Sequence, residues 1–173
     1  SKACGQHALE YAARLHGVHA TAFRYFNVSG PRQAADSAYS GVIALFAKRA
    51  LAHEPATIFG DGGQSRDFVY VKDVARFNRL AVEQPFRAGL FQCLNACTGA
   101  SISVLDLWRT ICEAAGAEPD HTLAEVRTGD IRRSEGDPRR LAESLGAVAE
   151  WTIGEGLADT LRWYREDAPD GES

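Results

Sequence analysis

Three polar clusters hold the residue types that could do chemistry in this sequence. Asn27 closes the run Arg24-Tyr25-Phe26-Asn27-Val28, and Ser29-Gly30-Pro31 follows it. Ligands of open α/β sheets collect at the carboxyl ends of strands, so Asn27 could offer its amide to a ligand. It could equally be a turn former, a role that suits asparagine. Arg66 stands between the turn Gly60-Asp61-Gly62-Gly63 and the short apolar run that starts at Phe68, and Arg127 precedes Thr128-Gly129-Asp130. Two loop arginines could clamp an anion, because guanidinium presents paired N–H donors to phosphate. The competing reading is solvated charge or a surface ion pair. Asp130 could accept two hydroxyls of a ribose, or simply take part in a turn with Gly129.

The elements that must position these residues can be read from periodicity. Lys2 to His16 has apolar residues at helical spacing, and Gly17 follows as a C-cap. Residues 18–28, rich in aromatic and β-branched types, predict one strand, and 31–40 read as loop. Gly41 to His53 predicts a second helix and Ala56 to Phe59 a short strand. Phe68 to Val71 predicts a further strand, Asp73 to Glu83 a helix, and Leu90 to Leu94 a buried strand. Ser103 and Asp106 form a capping box that starts a helix ending near Gly116, and His121 to Val126 alternates like an edge strand. Asp137-Pro138 marks a helix start, and the Thr152–Glu155 box opens a last helix that runs to about Glu166. The tail after it is expected to fray. Strands alternating with helices predict an α/β fold with a mostly parallel sheet.

Composition narrows the function. The 173 residues are 45% hydrophobic, enough for a core, and carry a net charge of −4, which excludes a basic nucleic-acid grip. No apolar run approaches the ~18 residues that cross a bilayer, and no signal peptide is visible, so a cytoplasmic setting is expected. Cys4, Cys93, Cys97 and Cys112 form no CxxC pair and are expected as buried or half-buried thiols. The five histidines show no ligand spacing, so no metal is expected, and Arg132-Arg133 is expected in solvent or paired with Glu135 and Asp137. Trp151, Trp163 and Tyr164 are expected to pack the last helix. No G-x-G-x-x-G fingerprint occurs, and Gly60, Gly62 and Gly63 are not followed by a helix. Methionine is absent and the chain opens Ser1-Lys2 on an ongoing helix, which predicts a piece of a longer protein.

Four motifs, taken in order, resemble those of UDP-glucose 4-epimerases and related extended short-chain dehydrogenases: Arg24 to Gln33, Thr57 to Asp73, Asn95-Ala-Cys-Thr-Gly99 against N-x-G-T-G, and Arg127-Thr-Gly-Asp130 against R-x-G-D. The resemblance runs from residue 1 to about 166. It implies the C-terminal part of a Rossmann-type doubly wound parallel sheet, residues 1–30 and 67–98. It also implies a smaller α/β substrate-binding domain, residues 31–66 and 99–166, followed by a tail, 167–173.

The activity it implies is NDP-sugar 4-epimerisation on UDP-glucose/UDP-galactose or their N-acetyl forms, by transient NAD-dependent oxidation at C4. The catalytic tyrosine would precede residue 1. Lys2 would match the family's catalytic lysine and hydrogen-bond the nicotinamide ribose, with Tyr25 and Phe26 on the cofactor side. Asn27, Val42, Ile43 and Phe59 would line the nucleotide, Arg66 and Arg127 would grip the diphosphate, and Asp130 the ribose. Ser134, small and four residues past Asp130, would leave room for N-acetyl sugars. Cys97 departs from the motif's middle glycine; a positive φ there would suit it badly. The alternatives are an NDP-sugar dehydratase or decarboxylase of the same family, against which Tyr25-Phe26-Asn27 argues, or a non-catalytic nucleotide-binding module. A homodimer through the first helix is implied for the intact enzyme, with no nucleic acid or membrane partner.

Overall fold

The computed structural model describes residues 2–33 and 41–166; most of the expected loop 31–40 and the expected tail, 167–173, lie outside the described residues. The elements run in order as α1 (Lys2–His16), β1 (Ala20–Tyr25), β2 (Asn27–Ser29), α2 (Val42–Leu51), β3 (Ala56–Phe59), β4 (Ser65–Arg66) and β5 (Phe68–Tyr70). They continue as α3 (Val71–Glu83), β6 (Phe91–Ala96), β7 (Ile102–Ser103), α4 (Val104–Ala115), β8 (His121–Ala124), β9 (Arg133–Ser134), α5 (Arg139–Leu145) and α6 (Ile153–Glu166). Three two-stranded sheets are parallel pairs: β1 with β6, β2 with β5 and β3 with β8. β4 is the centre of a small sheet, antiparallel to β7 and parallel to β9. The fold is α/β, as expected.

The helices start where capping chemistry places them. Ser103 Oγ accepts from Asp106 N at 3.0 Å to open α4, and Gly116, at φ +74, closes it in the left-handed region. Thr152 and Glu155 reciprocate at the start of α6: Thr152 N donates to Glu155 at 2.9 Å and Glu155 N donates to Thr152 Oγ1 at 3.3 Å. Asp137 Oδ1 accepts from Arg139 N at 3.0 Å, but Pro138 stands before the first residue of α5 instead of within it.

Two apolar clusters form the core. In one, the inner faces of α2, α4 and α6 close over β3. Phe46 and Trp108 meet edge to face at 5.1 Å, and the buried indole donates to the Asp120 carbonyl at 3.2 Å. The other gathers Val69, Phe77, Leu94, Ala96, Leu141 and Ala147 around β5, β6, α3 and α5. Leu141 and Ala147 thus pack with the stretches assigned by resemblance to the Rossmann part, although they fall within 99–166.

Several expectations change at places with a physical reason. The single strand over 18–28 is two. Phe26 N donates to Ala96 O and Asn27 N to Asp67 O, so the hydrogen-bonding neighbour switches at Phe26. Val71 opens α3 and does not end a strand, because Tyr70, at φ −75 and ψ 142, already serves as the N-cap. β4, β7 and β9 are two residues each, too short for an alternation to register. Cys4 is exposed, whereas Cys93 is half-buried and Cys97 and Cys112 are buried. Arg133 pairs with Glu135 as expected, but Arg132 pairs with Asp61 at 2.6 Å and Asp137 with Arg139.

Asp67, between β4 and β5, is fully buried. Its carboxylate accepts from Thr98 N (2.9 Å), Thr98 Oγ1 (2.7 Å), Gly99 N (2.9 Å) and Gly136 N (3.2 Å). Replacing it with alanine strands several buried donors at once. Asp67→Ala should therefore destabilise the chain by about 3 kcal/mol or more in urea unfolding, while an effect below about 1 kcal/mol would show that water satisfies those donors.

Candidate functional site

The main cavity, about 560 Å³, lies between α2, β3 and the loop after β8. It brings together Asn27, Val42, Phe59, Arg66, Arg127 and Asp130. Ile43, beside Val42, is 1% exposed and points into the core. Ser134 is half-buried in β9 and its carbonyl accepts from Asp67 N at 2.9 Å; its side chain is not part of the cavity wall.

Each cavity residue is held by a specific local device. Asp130 N donates to Arg127 O at 3.1 Å, and Gly129 sits at φ +82, so Arg127–Asp130 is a tight turn presenting both charged side chains on one rim. The Arg127 guanidinium lies 3.8 Å from the centre of the Phe59 ring, a cation–π contact. Arg66 is held by the carbonyls of Ser65 and Ile131 and by an ion pair to Asp130 Oδ1. Nη1 commits both its hydrogens to carbonyls and Nη2 commits one to Asp130, which leaves two N–H donors for an anion. Asp130 keeps Oδ2 for a hydroxyl. Asn27 Nδ2 donates to the Asp67 carbonyl at 3.1 Å, which orients the amide and leaves Oδ1 and one N–H for a ligand.

Lys2 and Tyr25 lie elsewhere, lining a second cleft of about 500 Å³ with Arg24 and Cys93. The Tyr25 hydroxyl donates to Asn78 Oδ1 at 3.0 Å and its ring stacks on Phe23. Phe26 belongs to neither wall. Its ring tip stands against Gly136, where a Cβ would come within 2.8 Å of it, 2.5 Å of Cys97 Sγ and 2.6 Å of Cys97 Cβ. The positive φ of the 95–99 turn falls on Gly99 (+80) and Cys97 is not among the positive-φ residues, so the departure from glycine at 97 leaves the turn unstrained. The Cys97 side chain instead occupies the space that Gly136 leaves empty. Burial pushes the Cys97 thiol up to about 12, and the nearby Asp67 carboxylate adds to the rise. Burial likewise pushes Cys112 up to about 11.

Sequence reasoning missed two residues that shape this site. Gln64, 8% exposed, lines the cavity and donates from Nε2 to the Phe59 carbonyl at 2.9 Å. Asp67 holds the frame behind Asn27 and Ser134. The signal available was their position in Gly63-Gln64-Ser65-Arg66-Asp67: a polar run between a glycine turn and an apolar strand has to turn some of its side chains inward.

Comparison with known proteins adds the family. Residues 1–97 match the NAD dependent epimerase/dehydratase family. The UDP-glucose 4-epimerase of Mycolicibacterium smegmatis is 34% identical over 164 residues, covering 95% of this chain and 51% of the relative. Among solved structures, the UDP-glucose 4-epimerase of Thermotoga maritima with UDP-glucose superposes with a TM-score of 0.88 at 36% identity, covering 95% of this chain and 52% of that one. The UDP-N-acetylglucosamine 4-epimerase of Methanobrevibacter ruminantium M1, in complex with UDP-N-acetylmuramic acid, gives 0.87 at 34% identity, covering 95% and 52%. The chain thus spans about half the length of the relatives it matches.

Two measurements test the local geometry. Gly136→Ala should cost about 1–3 kcal/mol by overpacking, and adding Cys97→Gly should restore part of the loss; strictly additive losses in a double-mutant cycle would disprove the contact. At pH 8 the native protein should alkylate at Cys97 and Cys112 at least about a hundredfold more slowly than in urea, because burial lowers the thiolate fraction of both; similar rates in the two conditions would show that the 95–99 turn and α4 open readily.

Proposed function

The chain belongs to the NAD dependent epimerase/dehydratase family, and from that premise we infer that it forms the nucleotide-sugar site of an NDP-sugar 4-epimerase acting on UDP-glucose/UDP-galactose or their N-acetyl forms. The observation that carries the reading is the single cavity in which a ring, two arginines and a carboxylate converge. The free donors of Arg66, with Arg127 beside them, match a diphosphate, whose charges need fixed cationic partners when they leave water. Asp130 Oδ2 matches ribose hydroxyls. Phe59 and the adjoining backbone of β3 match a flat base. Among the described residues no carboxylate pairs with Arg127, so the cation on the Phe59 ring is the charge a phosphate would draw over.

NAD is the family's cofactor, and Lys2 and Tyr25 fit one end of it: an exposed ammonium suited to ribose hydroxyls and a half-exposed ring suited to the nicotinamide side. When bound, NAD supplies reversible hydride acceptance at the sugar C4. The Lys2 ammonium would also hold a neighbouring phenol toward its ionised form. In this reading residues 1–30 and 67–98 belong to the cofactor domain and residues 31–66 and 99–166 to the substrate domain. A homodimer of the intact enzyme fits the exposed Tyr11 and Leu15 on α1. Where the sugar end of the site extends beyond this cavity toward β9, the small Ser134 side chain would leave room for an N-acetyl group. No helix among the described residues is long and apolar enough to cross a membrane.

Calorimetric titration of the chain tests the reading. Uridine diphosphate and UDP-galactose should bind, and Arg66→Ala should weaken both by roughly ten- to a hundredfold through loss of charge-assisted hydrogen bonds. Ser134→Tyr should weaken UDP-N-acetylgalactosamine more than UDP-galactose. A folded wild-type chain that binds no uridine nucleotide would sink the assignment.

A further inference from the structure

The edge of β3 that faces away from β8 walls the main cavity, and its backbone groups are unequally occupied. Ala56 N donates to Asp120 O at 3.1 Å and Gly60 N to Ala124 O at 2.8 Å, so residues 56, 58 and 60 turn their backbone groups toward β8. Backbone groups alternate along a strand, so Thr57 and Phe59 turn theirs to the opposite edge. Among the described residues this sheet has only the two strands, and that edge borders the cavity. One of its groups is already taken, since the Phe59 carbonyl accepts from Gln64 Nε2 at 2.9 Å. The amide is held there firmly. Gln64 is 8% exposed, its own carbonyl accepts from Val104 N at 2.9 Å, and the glycine turn at 62–63 brings it back alongside the strand that precedes it.

We propose that Gln64 is a specificity-determining residue for the base, because it occupies the Phe59 carbonyl and leaves the edge to be read as the Thr57 carbonyl and the Phe59 N–H. The proposal deepens the nucleotide-sugar reading of this cavity and rests on it. An acceptor followed by a donor complements a pyrimidine-2,4-dione, which offers a ring N–H beside a carbonyl oxygen. A base with an exocyclic amine beside an unprotonated ring nitrogen presents the reverse order. Such a base meets acceptor with acceptor and donor with donor, and the Phe59 carbonyl that could take its amine already accepts from Gln64. Unpaired polar groups at a closed site carry a large penalty, so this arrangement rejects a cytosine more than it favours a uracil. Gln64 acts through the strand edge and needs no contact with the reacting sugar.

The test compares uridine diphosphate with cytidine diphosphate by calorimetry on the 173-residue chain, in wild type, Gln64→Met and Gln64→Leu, with thermal melts run on each. Both substitutions keep bulk and remove the donor. Wild type should prefer uridine diphosphate by at least about tenfold, the weight of one unmatched hydrogen bond. The variants should lose most of that preference by gaining affinity for cytidine diphosphate, with uridine diphosphate affected by no more than about threefold. A purely structural role for Gln64 would weaken both ligands together and leave their ratio unchanged, and that result in either folded variant overturns the proposal. Equal affinity of wild type for the two ligands overturns it without any variant. If wild type binds cytidine diphosphate and uridine diphosphate equally, the nucleotide reading survives and only this inference fails. If it binds neither, the nucleotide reading fails and this inference with it.

Discussion

The site hangs on one carboxylate that, among the described residues, has no cation paired with it. Asp67 is fully buried and is stabilised by four hydrogen bonds from Thr98, Gly99 and Gly136. A charge in such surroundings is tolerable only when dipoles fixed by the backbone replace the lost water. That requirement ties together three segments far apart in sequence: the β4–β5 junction, the turn after β6 and the loop after β9. The backbone of the same residue extends the tie. Its carbonyl accepts from both the main chain and the amide of Asn27, and its N–H reaches Ser134. Asn27 and the Arg127–Ser134 loop are therefore positioned from a common point.

A second buried carboxylate, this one with a cation beside it, is likewise held by backbone donors. Asp73, 1% exposed in the first turn of α3, accepts from the backbone of Glu150 and Trp151 and from Arg76. Its place near a helix N-terminus also suits a negative charge. Beside it, Lys72 lies over the Trp151 ring at 4.8 Å and pairs with Asp159, which also receives the Tyr70 hydroxyl. Together these contacts pin α6 and its leading loop to the start of α3. α6 in turn contributes Leu157 and Leu161 to the core under α2 and β3. The base of the cavity is thus tied to α3 through α6, while its charged rim is held by the contacts of Arg66, Arg127 and Asp130.

Much of this was legible in the sequence, and the losses have physical causes. Helices announced by capping pairs, such as Ser103 with Asp106 and Thr152 with Glu155, appear where expected because the cap is a local interaction. Strand ends were blurred where tertiary partners decide them. Nothing local in 18–28 says that the neighbour changes at Phe26. β4, β7 and β9 exist only because distant segments pair. The convergence of Asn27, Phe59, Arg66, Arg127 and Asp130 on one cavity followed motif spacing. The motif alone did not show that Ile43 turns into the core, because adjacent helix residues face different ways. Gln64 was invisible as a site residue, since its role depends on folding back onto Phe59.

The contact between Cys97 and Gly136 reaches beyond one molecule. Position 97 can carry a side chain only while position 136 carries none, because the two compete for the same volume beside Phe26. In an evolving lineage the order of change is then constrained. Glycine at 136 has to be present before a thiol enters at 97, and once the thiol is there, a side chain at 136 meets it as well as the Phe26 ring. Two positions 39 apart in sequence would therefore be inherited as one unit, and descendants of this chain would be held at glycine 136 by the side chain at 97.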